Sequence, residues 1–180
     1  MMSCLKEENM TEIIIREAQA QDAEQLITFL NSVGKESHFL TLDDAGILMT
    51  TEQMATYLSQ IYEKDNNSYL LAFIADKLAG VISLTADFHE RVRHIGELFI
   101  AVGSAFQGYG IGQLLMTDLL DDIAEVGIIQ RLELQVQKRN TRAVHLYEKY
   151  GFEVESIRKY GARDEHGQLI DVLEMVHFFD

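Results

Sequence analysis

The residues Gln107-Gly108-Tyr109-Gly110-Ile111-Gly112 constrain this chain more than any others. They follow an apolar run, Glu97-Leu98-Phe99-Ile100-Ala101-Val102, with the character of a strand. They precede a segment with Ile111, Leu114, Leu115, Leu119 and Ile123 at helical spacing, which predicts a helix from Gly110 to about Val126 with those residues buried. A strand, a glycine turn and a helix start together make an anion site. The first N–H groups of a helix have no partner inside it, and the helix dipole adds about half a positive charge there. Glycines let a phosphate approach the backbone without obstruction.

The spacing excludes two common phosphate loops. A nucleoside-triphosphate loop needs Lys-Ser or Lys-Thr after its last glycine, and none follows Gly112. Gly34-Lys35-Glu36-Ser37 does not supply one either, because Phe29 stands where the first glycine belongs. The dinucleotide fingerprint also fails, since its third glycine falls on Gln113.

A second motif lies further on. Arg131-Leu132-Glu133-Leu134-Gln135-Val136 alternates as a half-buried strand does. Asn140, a preferred N-cap, precedes a helical segment Thr141 to Tyr150, and Gly151 closes it. Phe152-Glu153-Val154 then resumes a strand. The pair of motifs, Q-x-x-G-x-G at Gln107 to Gly112 and N-x-x-A-x-x-L-Y-E-K-Y-G-F from Asn140 to Phe152, resembles the GNAT superfamily of acyl-CoA N-acyltransferases. The resemblance covers residues 11 to 179 and is strongest from 94 to 157. Ser104 departs from it, since many relatives carry proline there.

The resemblance implies an α/β fold: a mixed, mostly antiparallel sheet of about 6–7 strands with about four helices, its fourth and fifth strands splayed. It implies direct acetyl transfer from acetyl-CoA to a primary amine of a small molecule or peptide. A catalytically silent acyl-CoA sensor on the same fold is the alternative. Pantetheine would bond the backbone of Ile100, Ala101 and Val102, and the amides of Gln107, Gly108, Tyr109, Gly110, Ile111 and Gly112 would hold the pyrophosphate. Tyr147 would return a proton to the departing thiolate. Glu97, directly or through water, would take one from the amine. Asn140 caps its helix or also touches CoA. A backbone N–H at Ile100 or Ala101 would hold the oxyanion. The acceptor pocket would form from the first two helices, their connection and the final hairpin.

Composition limits the partners. With 29 acidic against 15 basic side chains the formal net charge is -14, which disfavours nucleic acid and anionic membranes. Glu36, Asp43, Asp44 and Glu52 would suit a cationic acceptor or serve as plain solvated surface. Cys4 is the lone cysteine, and the histidines are scattered, so neither a disulfide framework nor a metal site is expected. No G-x-S-x-G elbow is present. No apolar run reaches membrane-spanning length and no signal-peptide pattern opens the chain, so a cytoplasmic protein is expected, with a homodimer open.

The chain divides into a flexible tail at 1–10 and one domain at 11–180. A strand is predicted at Glu12 to Glu17, then a helix whose start Asp22 could cap or charge, a loop at 34–50 and a helix at Thr51 to Lys64. A hairpin joins Tyr69–Ala75 to Leu78–Phe88, a strand follows at His94 to Val102, and the last strands run Phe152–Ile157 and Gln168–Phe179. A charged loop, Arg158 to Gly167, connects those last two.

Overall fold

The strands richest in unbroken apolar sequence form the middle of the sheet. In a computed structural model, which describes residues 12–40 and 46–179, the strands are β1 (Ile13–Glu17), β2 (Ser68–Ile74), β3 (Lys77–Ala86), β4 (Ile95–Val102), β5 (Arg131–Gln137), β6 (Glu153–Arg163) and β7 (Leu169–Phe178). The helices are α1 (Ala23–Glu36), α2 (Thr51–Tyr62), α3 (Ile111–Val126) and α4 (Thr141–Lys149). One sheet carries the strands in the order β1-β2-β3-β4-β5-β7-β6. Every neighbouring pair is antiparallel except β4 and β5. This is the mixed sheet with flanking helices that the two motifs imply.

β2 and β3 are buried along nearly their whole length because helices cover them on both faces. One core gathers Ile82, Leu98, Leu115, Leu119, Leu132 and Met175 under α3, with Tyr147 of α4. The other gathers Leu26, Leu58, Leu71, Val81 and Ala101 under α1 and α2.

Local chemistry fixes the helix ends. Thr50 Oγ1 accepts from Gln53 N at 3.2 Å and Gln53 Oε1 accepts from Thr50 N at 2.9 Å, a capping box for α2. Gly127, at φ 69°, ends α3 in the left-handed conformation and donates to Ile123 O at 2.9 Å.

Asp22 stands at the start of α1 without capping it through its side chain. Instead it accepts both Arg16 nitrogens at 2.7 Å and Gln19 N at 2.8 Å, tying the end of β1 to the turn before α1. The Arg16 guanidinium holds this carboxyl below the ordinary range. Asp22 is buried while Arg16 is partly exposed. Asp22→Ala is therefore expected to cost about 2 kcal/mol, between a surface pair and a buried one, read from urea unfolding. The lowered carboxyl also sets a sign: its contribution is present above the usual aspartate range near pH 4 and fades as pH falls through the lower folded value.

Two expectations are corrected. Leu114 points outward and is 42% exposed, while Met116 takes the buried position. The segment 158–167 is not all loop. β6 continues to Arg163 across a register shift between Arg158 and Ala162, with Tyr160 at φ 54° absorbing the extra residues. Cys4, Asp43, Asp44 and the 1–10 tail lie outside the described residues. Among the described residues no helix is long and apolar enough to cross a membrane, and no group of acidic, histidine or cysteine side chains is placed to hold a metal.

Candidate active site where two strands part

β4 and β5 are neighbours for only part of their length. Their register pairs Ile95 with Arg131, Gly96 with Leu132 and Glu97 with Glu133, and then stops. Beyond Glu97 the strands diverge, leaving Leu98–Val102 and Leu134–Gln137 without pairing between them. β3 still pairs β4 up to Val102, and β7 pairs all of β5, so the gap opens inside an otherwise continuous sheet.

The glycine turn stands at the end of β4. A short 3-10 turn, Ser104–Phe106, leads into it. Gly108 adopts φ 90° and Gly110 φ 78°, conformations that favour glycine, and a Cβ at either would meet no protein atom within 4 Å. Gly110 is the N-cap of α3 and has no side chain to satisfy the helix start. Among the described residues none of the backbone N–H groups from Gly108 to Gly112 finds an acceptor, whereas Gln113 N and Leu114 N both bond Gly110 O at 3.0 Å. A run of unpaired N–H donors over open space is suited to a polyanion.

α4 forms the other wall. Asn140 Oδ1 accepts from Ala143 N at 3.3 Å, so the residue caps α4. Arg142, in the first turn, donates to Gln107 Oε1 at 2.9 Å and joins α4 to the glycine turn. Leu146 Cδ2 would lie 3.6 Å from a Cβ on Gly112, so the starts of α3 and α4 meet closely. Tyr147 is 7% exposed, packs against Phe152 with ring centroids 5.9 Å apart, and its hydroxyl has no hydrogen-bond partner among the described residues. Burial pushes its phenol up to about 12, so it keeps its proton through neutral pH. Complete transfer to a thiolate of pKa ~8.5 would be uphill by roughly 5 kcal/mol at that value. A phenol in this setting is suited to donating a hydrogen bond rather than giving up its proton.

Glu97 is exposed and lies on the other side of the sheet. Leu98 faces the core under α3, as do Ile100 and Val102, so Glu97 shares the opposite face with Phe99 and Ala101. The sheet thus separates Tyr147 from Glu97, with the parted strands between them. Among the described residues Glu97 makes no ion pair, and the arginine nearest it in register, Arg131, binds Glu133 and Glu155 instead.

A network absent from the sequence reading holds this second face together. Gln137, buried at the end of β5, donates through Nε2 to His38 O at 3.2 Å. Arg139 Nη2 reaches the same carbonyl at 3.0 Å, and its Nε reaches Gln137 Oε1 at 2.9 Å. The same guanidinium holds Glu165 at 3.1 and 2.6 Å and pulls that carboxyl down to about 2. The segment after α1, the end of β5 and the β6–β7 turn are therefore one unit. No local pattern announces it, because the partners of its hydrogen bonds are up to 101 residues apart. Arg142 carries a more local signal, since it stands in the first turn of a helix whose cap is evident from sequence.

Not everything converges here. A cavity of about 380 Å³ lies between α1, the β2–β3 turn and the 3-10 turn, lined by Phe29, Val33, Glu36, Leu78 and Phe106, and of the residues singled out from sequence for catalysis, cofactor or acceptor it holds only Glu36. His145 is exposed on α4 while Tyr147 points inward.

The family model for the acetyltransferase (GNAT) family matches residues 38–152. The chain belongs to the GNAT family. It is an acetyl-CoA-dependent acyltransferase. A GNAT acetyltransferase crystal structure from Streptococcus pneumoniae is 44% identical, with a TM-score of 0.91 over 94% of this chain and 100% of that one. An L-amino acid N-acetyltransferase of Escherichia coli (strain K12) is 26% identical over 92% of this chain and 98% of its own length. A [ribosomal protein bS18]-alanine N-acetyltransferase of Salmonella typhimurium is 38% identical over 60 residues, 33% of this chain and 40% of its own. This GNAT chain thus shares its family with enzymes whose acceptors are amino acids in one case and a protein alanine in the other.

Proposed function

We propose that this protein transfers an acetyl group directly from acetyl-CoA to the amine of a small molecule or peptide, in the gap between β4 and β5. The observation that carries the assignment is the unpaired N–H run from Gly108 to Gly112, beside a strand pair that stops at Glu97. The pyrophosphate binds that run, together with Gln107, and the pantetheine arm takes the place of the missing strand pairing along Ile100–Val102. Asn140 acts as the cap that sets α4, and its role stays with the helix rather than the cofactor.

The chemistry then divides between the two faces. The amine approaches the thioester from the face of Glu97, because the other face is filled by the packing of Ile100 and Val102 under α3. An alkyl amine of pKa ~10.4 is mostly protonated at pH 7, a shortage equivalent to about 4.6 kcal/mol, and Glu97 through a water relieves part of it. An N–H of Ile100 or Ala101 steadies the tetrahedral oxyanion. Tyr147 supports the departing thiolate from the opposite side.

Calorimetric titration with acetyl-CoA and with 3′-dephospho-CoA tests the site. Micromolar binding of both, within about threefold, is expected if the pyrophosphate dominates recognition. Binding of neither would remove the assignment.

A further inference from the structure

The face from which the acceptor enters has an unusual charge arrangement. Leu132, Leu134 and Val136 of β5, and Leu173 and Met175 of β7, face the core under α3. The alternating residues Glu133, Gln135 and Gln137, with Val172 and Glu174, therefore line the opposite face together with Glu97. Each arginine on this face already has a carboxylate. Arg131 is held by Glu133 and Glu155, Arg158 by Glu174 at 2.5 Å, and Arg139 by Glu165 at 2.6 Å. Arg139 is further committed to His38 O and Gln137. Lys159 pairs with Asp171 at 2.9 Å, and Lys138 stands beside the same carboxylate. At the hairpin tip Arg163 donates to Gly167 O at 2.8 Å. Glu97, by contrast, makes no ion pair among the described residues, and Arg131, its diagonal neighbour across the β4–β5 register, is engaged by Glu133 and Glu155.

A free amino acid carries a carboxylate one carbon from its amine. Placing that amine beside Glu97 brings the carboxylate onto a surface whose guanidiniums are occupied and whose unpaired charge is negative. At about 4 Å, two like charges near a protein surface repel by several kcal/mol. An amine whose neighbouring carboxyl is an amide avoids this. Its amine is also easier to use: a peptide α-amine has pKa ~7.8, so its shortage of neutral form at pH 7 is equivalent to only about 1 kcal/mol. An exposed glutamate and a water are adequate for that task.

We infer that the acceptor is an amine without a free α-carboxylate, as at a peptide N-terminus, and that the Arg139–Glu165 pair enforces this choice by keeping the guanidinium nearest the end of β5 occupied. The inference rests on the acetyl-transfer reading above. Arg139 and Glu165 act here as specificity-setting residues and do not touch the reacting atoms.

The test compares L-alanine, L-alaninamide and an alanine-initiated tetrapeptide amide as acceptors, following thiol release from acetyl-CoA with wild type and with Glu165→Gln. Wild type should favour the two amides over L-alanine by at least about fiftyfold in kcat/KM. Because alaninamide is also the less basic amine, the variant supplies the independent arm. Freeing Arg139 from its charge partner should raise kcat/KM for L-alanine about fivefold relative to alaninamide, mainly through KM, with acetyl-CoA affinity unchanged. Equal or better use of L-alanine by wild type, turnover of none of the three despite acetyl-CoA binding, or an unchanged ratio in Glu165→Gln would each overturn the inference. Loss of the underlying reading would show differently, as failure of the wild-type protein to bind acetyl-CoA in the calorimeter.

Discussion

Gly110→Val is expected to weaken acetyl-CoA binding at least a hundredfold. The backbone at Gly110 sits at φ 78°, where a β-branched side chain costs about 1–2 kcal/mol. The new side chain would also enter the open space over the unpaired N–H groups, and each charge-assisted hydrogen bond lost is worth about 1.5–3 kcal/mol. Loss of two such bonds exceeds the roughly 2.7 kcal/mol that corresponds to a hundredfold change in affinity, whereas the backbone strain, present with and without the cofactor, lowers stability instead. Strain alone is controlled for by Gly127→Val at the other end of α3. That glycine has φ 69° and the same empty surroundings but lies away from the gap. Both variants should lower the melting temperature by similar amounts, and only Gly110→Val should lose the cofactor. Equal affinity in the two would separate the glycine turn from phosphate binding.

Tyr147→Phe is expected to reduce kcat by about a hundredfold or more while acetyl-CoA affinity stays within twofold, as for loss of a positioned hydrogen-bond donor to the charge that develops on the thiolate. Stability should hardly move, because the hydroxyl has no hydrogen-bond partner among the described residues and the ring keeps its packing on Phe152. The pH profile provides a second reading. With the phenol pushed up to about 12, the donor keeps its proton well past the pH at which an ordinary tyrosine would lose it. The wild-type rate should therefore rise as the amine loses its proton and show no alkaline fall up to about pH 11. A fall near pH 10 would place the tyrosine in water instead of in the core, and an unchanged kcat in the phenylalanine variant would remove it from the reaction.

The elements that the sequence made legible are those whose chemistry is local. The turn at Gly108 and Gly110, the Asn140 cap and the Gly127 stop each depend on a few neighbouring residues, and their positions follow from residue type alone. The approximate limits of β4, α3 and α4 follow from the same signals. Failures arose where distant segments decide the outcome. Asp22 has a cap residue's identity and position, but Arg16 on β1 captures its carboxylate. Gly161 and the charges around it suggest a loop, yet pairing with β7 carries β6 through them by way of a bulge. Leu114 fits the helical period and falls just off the buried stripe. At the site, the glycine turn was readable and the Arg139–Glu165–His38 unit was not, since it exists only once β5, β7 and α1 are brought together.

The three-residue seam between β4 and β5 divides the sheet into a four-stranded panel and a three-stranded one. A protein gains cohesion from a continuous ladder, and here the ladder is interrupted at its centre, where strand edges are normally avoided. The fold tolerates this because α3 packs across both panels from one side, while on the other Arg139 ties the three-stranded panel to the segment after α1. Whatever occupies the gap then acts as a missing structural member as well as a reactant. A ligand at a hundred times its dissociation constant adds about 2.7 kcal/mol to the folded state. The cell's supply of that ligand would therefore set how firmly the two panels hold together, making the abundance of the intact protein responsive to the metabolite it consumes.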